Sequence, residues 1–319
     1  MKYFITGGAG FIGSHVAETL AKDEENQITI YDNLSTGFMR FITPLMGKRN
    51  IRVVIGDLLD EEKLSRAIKG SEFVFHFAAN ADVRSGLLHP WKDLEQNTVA
   101  TFNVLEAMRL NGIRKIAFSS TGSVYGETKT IPTPEDAPFP VQTSLYASSK
   151  LAGEALISSY CEGFGFTGYI FRFVSVLGER YSHGHVFDFC RQLMENPKEL
   201  RILGDGKQRK SYLYIRDCVS AMLTVIQKAK GAVNIYNLGT DEYCEVDDSV
   251  KWICGHLGLA PELIYSGGDR GWVGDIPFIF LDCSKLKALG WKAELTIEQA
   301  VEKTVRFIEN NWWIFEKRS

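Results

Sequence analysis

The chain has 319 residues, of which 45 % are apolar and 24 % charged, with a formal net charge of −3. That balance suits a globular protein of one large or two modest domains, and it excludes the basic field of a nucleic-acid-binding protein. Six scattered cysteines with no C-x-x-C spacing argue against a disulfide framework or a structural zinc site and for reduced thiols.

The start, "MKYFITGGAGFIGSH", is apolar for only five residues before glycines break it, so it lacks the long apolar core of a signal peptide. No run approaches the roughly 18 apolar residues of a membrane span. The expectation is a cytoplasmic protein with neither a membrane nor a nucleic-acid partner.

The run "KYFIT" (2–6) reads as a first strand. Gly7, Gly10 and Gly13 follow as G-x-x-G-x-x-G, with Phe11 and Ile12 inside the motif, and a helix begins there. Glycines at that junction let the backbone turn tightly and approach a pyrophosphate at a helix N-terminus. "QITIYD" (27–32) ends on Asp32, 19 residues beyond Gly13. An acid there accepts hydrogen bonds from adenosine ribose hydroxyls and repels a 2′-phosphate, which points to NAD rather than NADP. Asn33, Ser35 and Gly37 follow in a turn that would line the same ribose. "IRVVIGD" (51–57) brings Asp57 towards the adenine amino group, with Leu58 against the ring. "EFVFHFAA" (72–79) ends on Ala78 and Ala79, small enough for a cofactor to pass closely.

"KIAFSS" (115–120) reads as the fifth strand, and Thr121, Ser123 and Tyr125 lie just beyond it. "YASSK" then opens a helix, placing Tyr146 and Lys150 at i and i+4 on one face. An unperturbed phenol, with a pKa near about 10, is a poor base at neutral pH. A neighbouring ammonium favours the phenolate, so the pair predicts proton abstraction from a hydroxyl by Tyr146. "TGYIFRF" (167–173) and "AVNIYNLG" (232–239) complete the strand set.

These runs are apolar on consecutive positions and alternate with helical segments. The predicted fold is α/β: a Rossmann-type doubly wound parallel sheet with a smaller, discontinuous α/β substrate domain. The predicted division is 1–175, with 211–239 returning, for NAD binding; 176–210 and 240–319 mainly form the second domain. His183 and His185 form H-x-H without an acidic or cysteine cluster, so no metal is expected; a substrate-loop role or surface exposure is. Trp312, Trp313 and Phe315, after an amphipathic helix, are expected to pack on the body of the protein.

Taken together, "TGGAGFIGSH", "YDNLSTG", "GDLLD", "HFAANADVR", "NTVATFNVLEA", "SSTGSVYGE", "YASSKLAGE", "FRFVSVLGER", "LGDGKQRKSYLYIRD" and "NLGT" resemble the extended short-chain dehydrogenase/reductase family, specifically its nucleotide-sugar epimerases and dehydratases. The resemblance implies a catalytic triad of Thr121, Tyr146 and Lys150. It adds Asn97 and Ser119 to the cofactor region and implies a homodimer built on the helices around 94–112 and 146–165.

The two residues after the triad threonine discriminate between reactions. In the resembled 4,6-dehydratases they are Asp-Glu, and the UDP-glucuronate decarboxylases carry a glutamate at the second. Here they are Gly122 and Ser123, which cannot supply carboxyl chemistry and resemble the 4-epimerases. The substrate end departs from the family pattern: Ser175 replaces an asparagine, Lys210 an arginine, with Arg209 adjacent, and Arg270 is displaced by two residues, with Trp272 in its usual place. Lysine supplies charge without the bidentate fork of arginine. Ser123, Ser175, Val186, Arg209, Lys210 and Arg270 are the expected substrate contacts, beside Thr121. The leading reading is a UDP-glucose/UDP-galactose-type 4-epimerase. Inversion at another carbon, a GDP-, CDP- or dTDP-sugar, a dehydratase or oxidoreductase, and a non-catalytic NAD-binding regulator stay open.

Overall fold

The seven apolar runs form one seven-stranded sheet: β1 Lys2–Thr6, β2 Gln27–Asp32, β3 Ile51–Ile55, β4 Phe73–His76, β5 Lys115–Thr121, β6 Thr167–Phe173 and β7 Val233–Leu238. The computed structural model describes residues 1–83, 85–139 and 141–318, without the side chains of Ser85, Lys317 and Arg318. Arg84, which closes "HFAANADVR", and Ser319, the last residue of the aromatic C-terminal segment, lie outside the described residues.

The strand order is β7-β6-β5-β4-β1-β2-β3. Pairing from β3 across to β5 is parallel, with Tyr3 opposite both Ile28 and Phe73. Every residue of β4 is buried, as a strand covered on both faces must be. The order reverses between β1 and β4, and α/β folds bind their ligands at the carboxyl ends of strands beside such a reversal. Expected and observed strands differ most at the end of β4. Regular pairing stops at His76, so Ala78 and Ala79 lie beyond the strand rather than ending it. The turn remains tied to β1, where Thr6 O accepts from Phe77 N at 3.2 Å and Thr6 Oγ1 from Ala78 N at 3.3 Å.

The chain divides into two compact units, Met1–Val124 with Ser144–Arg172 and Met222–Tyr236, and Tyr125–Thr143 with Phe173–Ala221 and Asn237–Ser319. In the first, helices α1 Phe11–Leu20, α2 Glu61–Ile68, α3 Ala100–Leu110 and α4 Leu145–Phe164 accompany the sheet. Phe4, Val74, Ile116 and Phe118 from strands pack with Leu64, Val104, Met108 and Ile157 from helices in one buried cluster. Helix α4 is bounded at both ends: Ser144 Oγ accepts from Ala147 N at 3.1 Å, and Gly165 closes it at φ 66°, a conformation that favours glycine.

The second unit carries helices His185–Glu195, Val246–Leu257 and Ile297–Glu309, which pack on one another, and several short strand pairs. Phe315 meets Phe187 at 4.6 Å between ring centroids, the packing expected of the aromatic C-terminus. All six cysteines are buried and free. Among the described residues no helix is long and apolar enough to cross a membrane.

Candidate active site

The glycine loop joins β1 to α1 at the sheet reversal. Gly7 has φ 65°, and a β-carbon there would lie 2.6 Å from the Ala78 nitrogen. A β-carbon at Gly13 would lie 2.8 Å from Gly8 Cα. Both positions therefore exclude a side chain, and the cradle they leave is the surface a pyrophosphate needs. Gly10 stands at the N-cap of α1, followed by Phe11 and Ile12 in its first turn. Gly7→Ala is expected to cost about 1–2 kcal/mol for the left-handed backbone alone. Calorimetry should show the lower thermal midpoint, and fluorescence titration should show weakened NAD binding.

Asp32 is 8 % exposed at the end of β2. Its Oδ2 accepts from Ala9 N at 2.9 Å and its Oδ1 from Leu34 N at 2.8 Å. The carboxylate thus ties the glycine loop to the turn after β2. Gly37 stands against it, since a β-carbon there would lie 2.9 Å from Asp32 Oδ1. Asn33 links the remaining residues expected at the adenosine end: it donates to Asp57 Oδ2 at 2.8 Å and accepts from Ser35 Oγ at 2.7 Å. Leu58, expected against the adenine, is 7 % exposed and belongs to the buried cluster of the unit. These residues fit a dinucleotide with free ribose hydroxyls.

The reacting end is built on β5 and α4. Thr121 closes β5, and its Oγ1 donates to Ser123 Oγ at 3.2 Å while accepting from Ser123 N at 3.1 Å. Tyr146 lies in the first turn of α4, with Thr121 near enough to act on its phenol. One turn on, Lys150 Nζ donates to Ser119 O at 2.8 Å and lies 4.8 Å from the centre of the Phe118 ring. Ser119 Oγ donates in turn to His76 O at 3.3 Å. The structure joins Thr121 to Ser123 and Lys150 to Ser119, with Tyr146 one helical turn before Lys150.

Their proton affinities differ from expectation. Burial pushes the Tyr146 phenol up to about 12, with the Thr121 hydrogen bond pulling it down and the Asp93 charge adding to the rise. Burial brings the Lys150 amine down to about 7, against a rise from Glu154. The lowering of the phenol expected from the neighbouring ammonium is therefore not found; the phenol lies above its ordinary value. Burial is the largest cause of both shifts and disfavours both charged forms.

Asn97 lies in a π-helical turn, Leu94–Val99, leading into α3. Its Oδ1 accepts from Asn80 N at 2.8 Å, and its Nδ2 donates to Ser149 Oγ at 2.9 Å. Ser149 Oγ in turn donates to Tyr146 O at 2.8 Å, so Asn97 braces the turn that carries the tyrosine. Asp93 joins this group by accepting from Asn80 Nδ2 at 2.8 Å. Asp93, Asn80, Ser149, Ser120, Glu154 and Arg172 were not singled out from sequence. Only Glu154 carried a readable signal, standing four residues beyond Lys150 in "YASSKLAGE".

His76 sits behind the site, 2.7 Å from Thr6 Oγ1 and 3.0 Å from Thr101 Oγ1. Burial, aided by the Lys150 charge, brings its imidazole down from 6.5 to about 3. A folded-state value below the unfolded one means that its contribution to stability is present above pH 6.5 and is lost as pH falls through about 3. The thermal midpoint should therefore drop as pH falls from 6.5 towards about 3, and the drop should be shallower in His76→Gln. Equal slopes in the two proteins would contradict this assignment.

The residues expected at the substrate end lie in the second unit. Ser175 is exposed on the short strand Ser175–Leu177, and Val186 is fully buried in helix His185–Glu195. The Arg209 guanidinium lies 4.0 Å from the centre of the Phe278 ring. Lys210 Nζ donates to Asp275 Oδ1 at 2.9 Å and also to Ile276 O. Arg270 reaches Glu127 with both terminal nitrogens, at 2.7 and 3.1 Å, and Asp275 O at 3.2 Å. Lys210 and Arg270 thus meet around Asp275, each already paired with a carboxylate. His185 is half-buried: its ring nitrogens meet Ser249 Oγ at 2.7 Å and Tyr212 OH at 3.3 Å, and burial lowers the imidazole's proton affinity. Among the described residues no three His, Cys, Asp or Glu side chains converge as a metal site.

Residues 3–239 match the model of the NAD dependent epimerase/dehydratase family. A putative UDP-glucose 4-epimerase of Methanocaldococcus jannaschii is 34 % identical, over 96 % of this chain and 98 % of that protein. A dTDP-D-glucose 4,6-dehydratase of Mus musculus is 30 % identical, over 98 % of this chain and 89 % of its own length. Among solved structures, a UDP-galactose 4-epimerase is 36 % identical with a TM-score of 0.88, covering 98 % of this chain and 100 % of that one.

Proposed function

The chain belongs to the NAD-dependent epimerase/dehydratase family, and on that premise we propose that it inverts C4 of a nucleotide-diphosphate sugar of the UDP-glucose/UDP-galactose type through a transient 4-keto sugar. The observation that carries this reading is the pair that follows Thr121. Gly122 and Ser123 form a tight turn in which the Ser123 hydroxyl is bonded to Thr121. A 4,6-elimination needs an acid and a base beside C5 and C6, and this turn offers neither. The relatives named as 4-epimerases support the same choice, and the dehydratase relative makes elimination the second reading.

In this account Tyr146 takes the proton from the sugar O4 hydroxyl and later returns it on the other face. Thr121, at the end of β5, orients the same oxygen. Lys150, held by Ser119 O, supplies positive charge that favours the phenolate. NAD, when bound, would supply a hydride acceptor and donor beside the sugar. Gly7, Gly13 and Asp32 hold it. Lys210, Arg209 and Arg270 bind the diphosphate in this reading, Lys210 and Arg270 exchanging carboxylate partners for phosphate oxygens. A homodimer is part of the proposal: Leu94, Phe102, Leu145 and Phe164 are 43–47 % exposed along the helices expected to pair. Light scattering should give twice the mass of one chain.

The test is incubation of the purified protein with UDP-glucose, UDP-galactose and their N-acetyl and uronic acid counterparts, with no cofactor added. NMR of the anomeric protons should show one 4-epimer pair interconverting. A 4-keto-6-deoxy product would establish elimination instead. No turnover of any UDP-sugar by protein shown to hold NAD would end the UDP assignment.

A further inference from the structure

Behind Lys150 lies a buried ion pair that the proposed reaction does not use. Glu154 and Arg172 are 4 % and 2 % exposed. Arg172, from β6, donates through Nε to Glu154 Oε1 at 3.0 Å and through Nη2 to Oε2 at 2.7 Å. Ser120 Oγ, from β5, also donates to Glu154 Oε1. Three donors on two strands therefore fix a carboxylate that projects from α4. Glu154 stands at i+4 from Lys150, on the same helix face. The two side chains engage successive residues of β5: Lys150 holds Ser119 O, and Glu154 holds the Ser120 hydroxyl.

The surroundings of Lys150 explain what this arrangement does. The amine is 2 % exposed. The contacts recorded for it, the Ser119 carbonyl at 2.8 Å and the Phe118 ring at 4.8 Å, are both uncharged. Gly153 permits that ring to come so close, because a β-carbon there would lie 2.8 Å from Phe118 Cζ. Burial among neutral groups drives an amine to lose its proton, and a nearby carboxylate opposes the loss. Glu154 is the charged group acting in that opposing direction. A neutral Lys150 would no longer favour the Tyr146 phenolate.

We propose that Glu154 is a positioning residue acting through Lys150: its carboxylate, fixed by Arg172 and Ser120, keeps the buried amine in the ammonium form near neutral pH. This rests on the reading of Tyr146 and Lys150 as the reacting pair. The test reads Lys150 directly. Protein labelled with lysine carrying 13C at Cε is titrated by NMR, and Lys150→Arg assigns the signal. Glu154→Gln should move the Lys150 titration down by about one unit or more, and Glu154→Asp, which keeps the charge, should restore most of it. The alkaline limb of the turnover profile should shift in the same direction.

If Glu154→Gln alone does not fold, Glu154→Gln with Arg172→Met removes the pair without stranding a charge and should shift the Lys150 titration in the same way. A Lys150 titration unchanged in the folded variant, with only the thermal midpoint lowered, would overturn the proposal and leave a purely structural ion pair. Failure of the wild type to turn over any nucleotide sugar would instead count against the proposed function, and the NMR titration would still decide this inference.

Discussion

Tyr146→Phe is expected to lower turnover by about 10²–10⁴-fold, with NAD binding retained and KM for the nucleotide sugar nearly unchanged. The substitution deletes one oxygen from a ring held at the first turn of α4. The backbone that carries the ring stays braced, because Ser149 Oγ bonds to Tyr146 O at 2.8 Å and Asn97 holds Ser149 at 2.9 Å. What disappears is the hydroxyl that, in the proposed mechanism, exchanges the proton with the sugar. An interaction made in the transition state is lost, so kcat and kcat/KM should fall together. A variant retaining more than about a tenth of wild-type turnover would remove Tyr146 from the chemistry.

Arg172→Met is expected to cost about 3–5 kcal/mol of folding stability. The Arg172–Glu154 pair is almost wholly buried, at 2 % and 5 % side-chain exposure. Removing the guanidinium leaves a carboxylate inside the fold with only the Ser120 hydroxyl as a recorded donor. Replacing both partners, Glu154→Leu with Arg172→Met, should recover most of the loss, because it strands no charge. Urea midpoints of the single and double variants measure the effect. A single variant within about 1 kcal/mol of wild type, the range of an exposed pair, would show that the couple does not anchor α4 to β6.

The sheet and the glycine loop were legible because one physical demand produces each signal. Strands buried on both faces must be apolar on consecutive positions, as Phe73–His76 is. A loop that touches Ala78 at Gly7 and packs its own backbone at Gly13 must lack β-carbons. The Tyr146–Lys150 spacing was equally visible, since i and i+4 share a helix face. Their proton affinities were not, because spacing says nothing about how much water each group loses. The partners of Lys210 and Arg270 were also hidden: Glu127 is 143 residues from Arg270 in sequence, and Asp275 is 65 from Lys210. Ser120 and Arg172 gave no signal for a similar reason, since each reads as an ordinary strand residue until the sheet sets it beside Glu154.

The central claim is inversion at C4 without exchange of the sugar's carbon-bound hydrogen with water. The most direct measurement is the reaction of UDP-glucose in D2O, followed by proton NMR and mass spectrometry of the product. The account predicts UDP-galactose that carries no solvent deuterium at C4 or any other carbon. Deuterium at C3, C5 or C6, or inversion at a carbon other than C4, would contradict it and assign the site to enolisation, elimination or a different epimerisation.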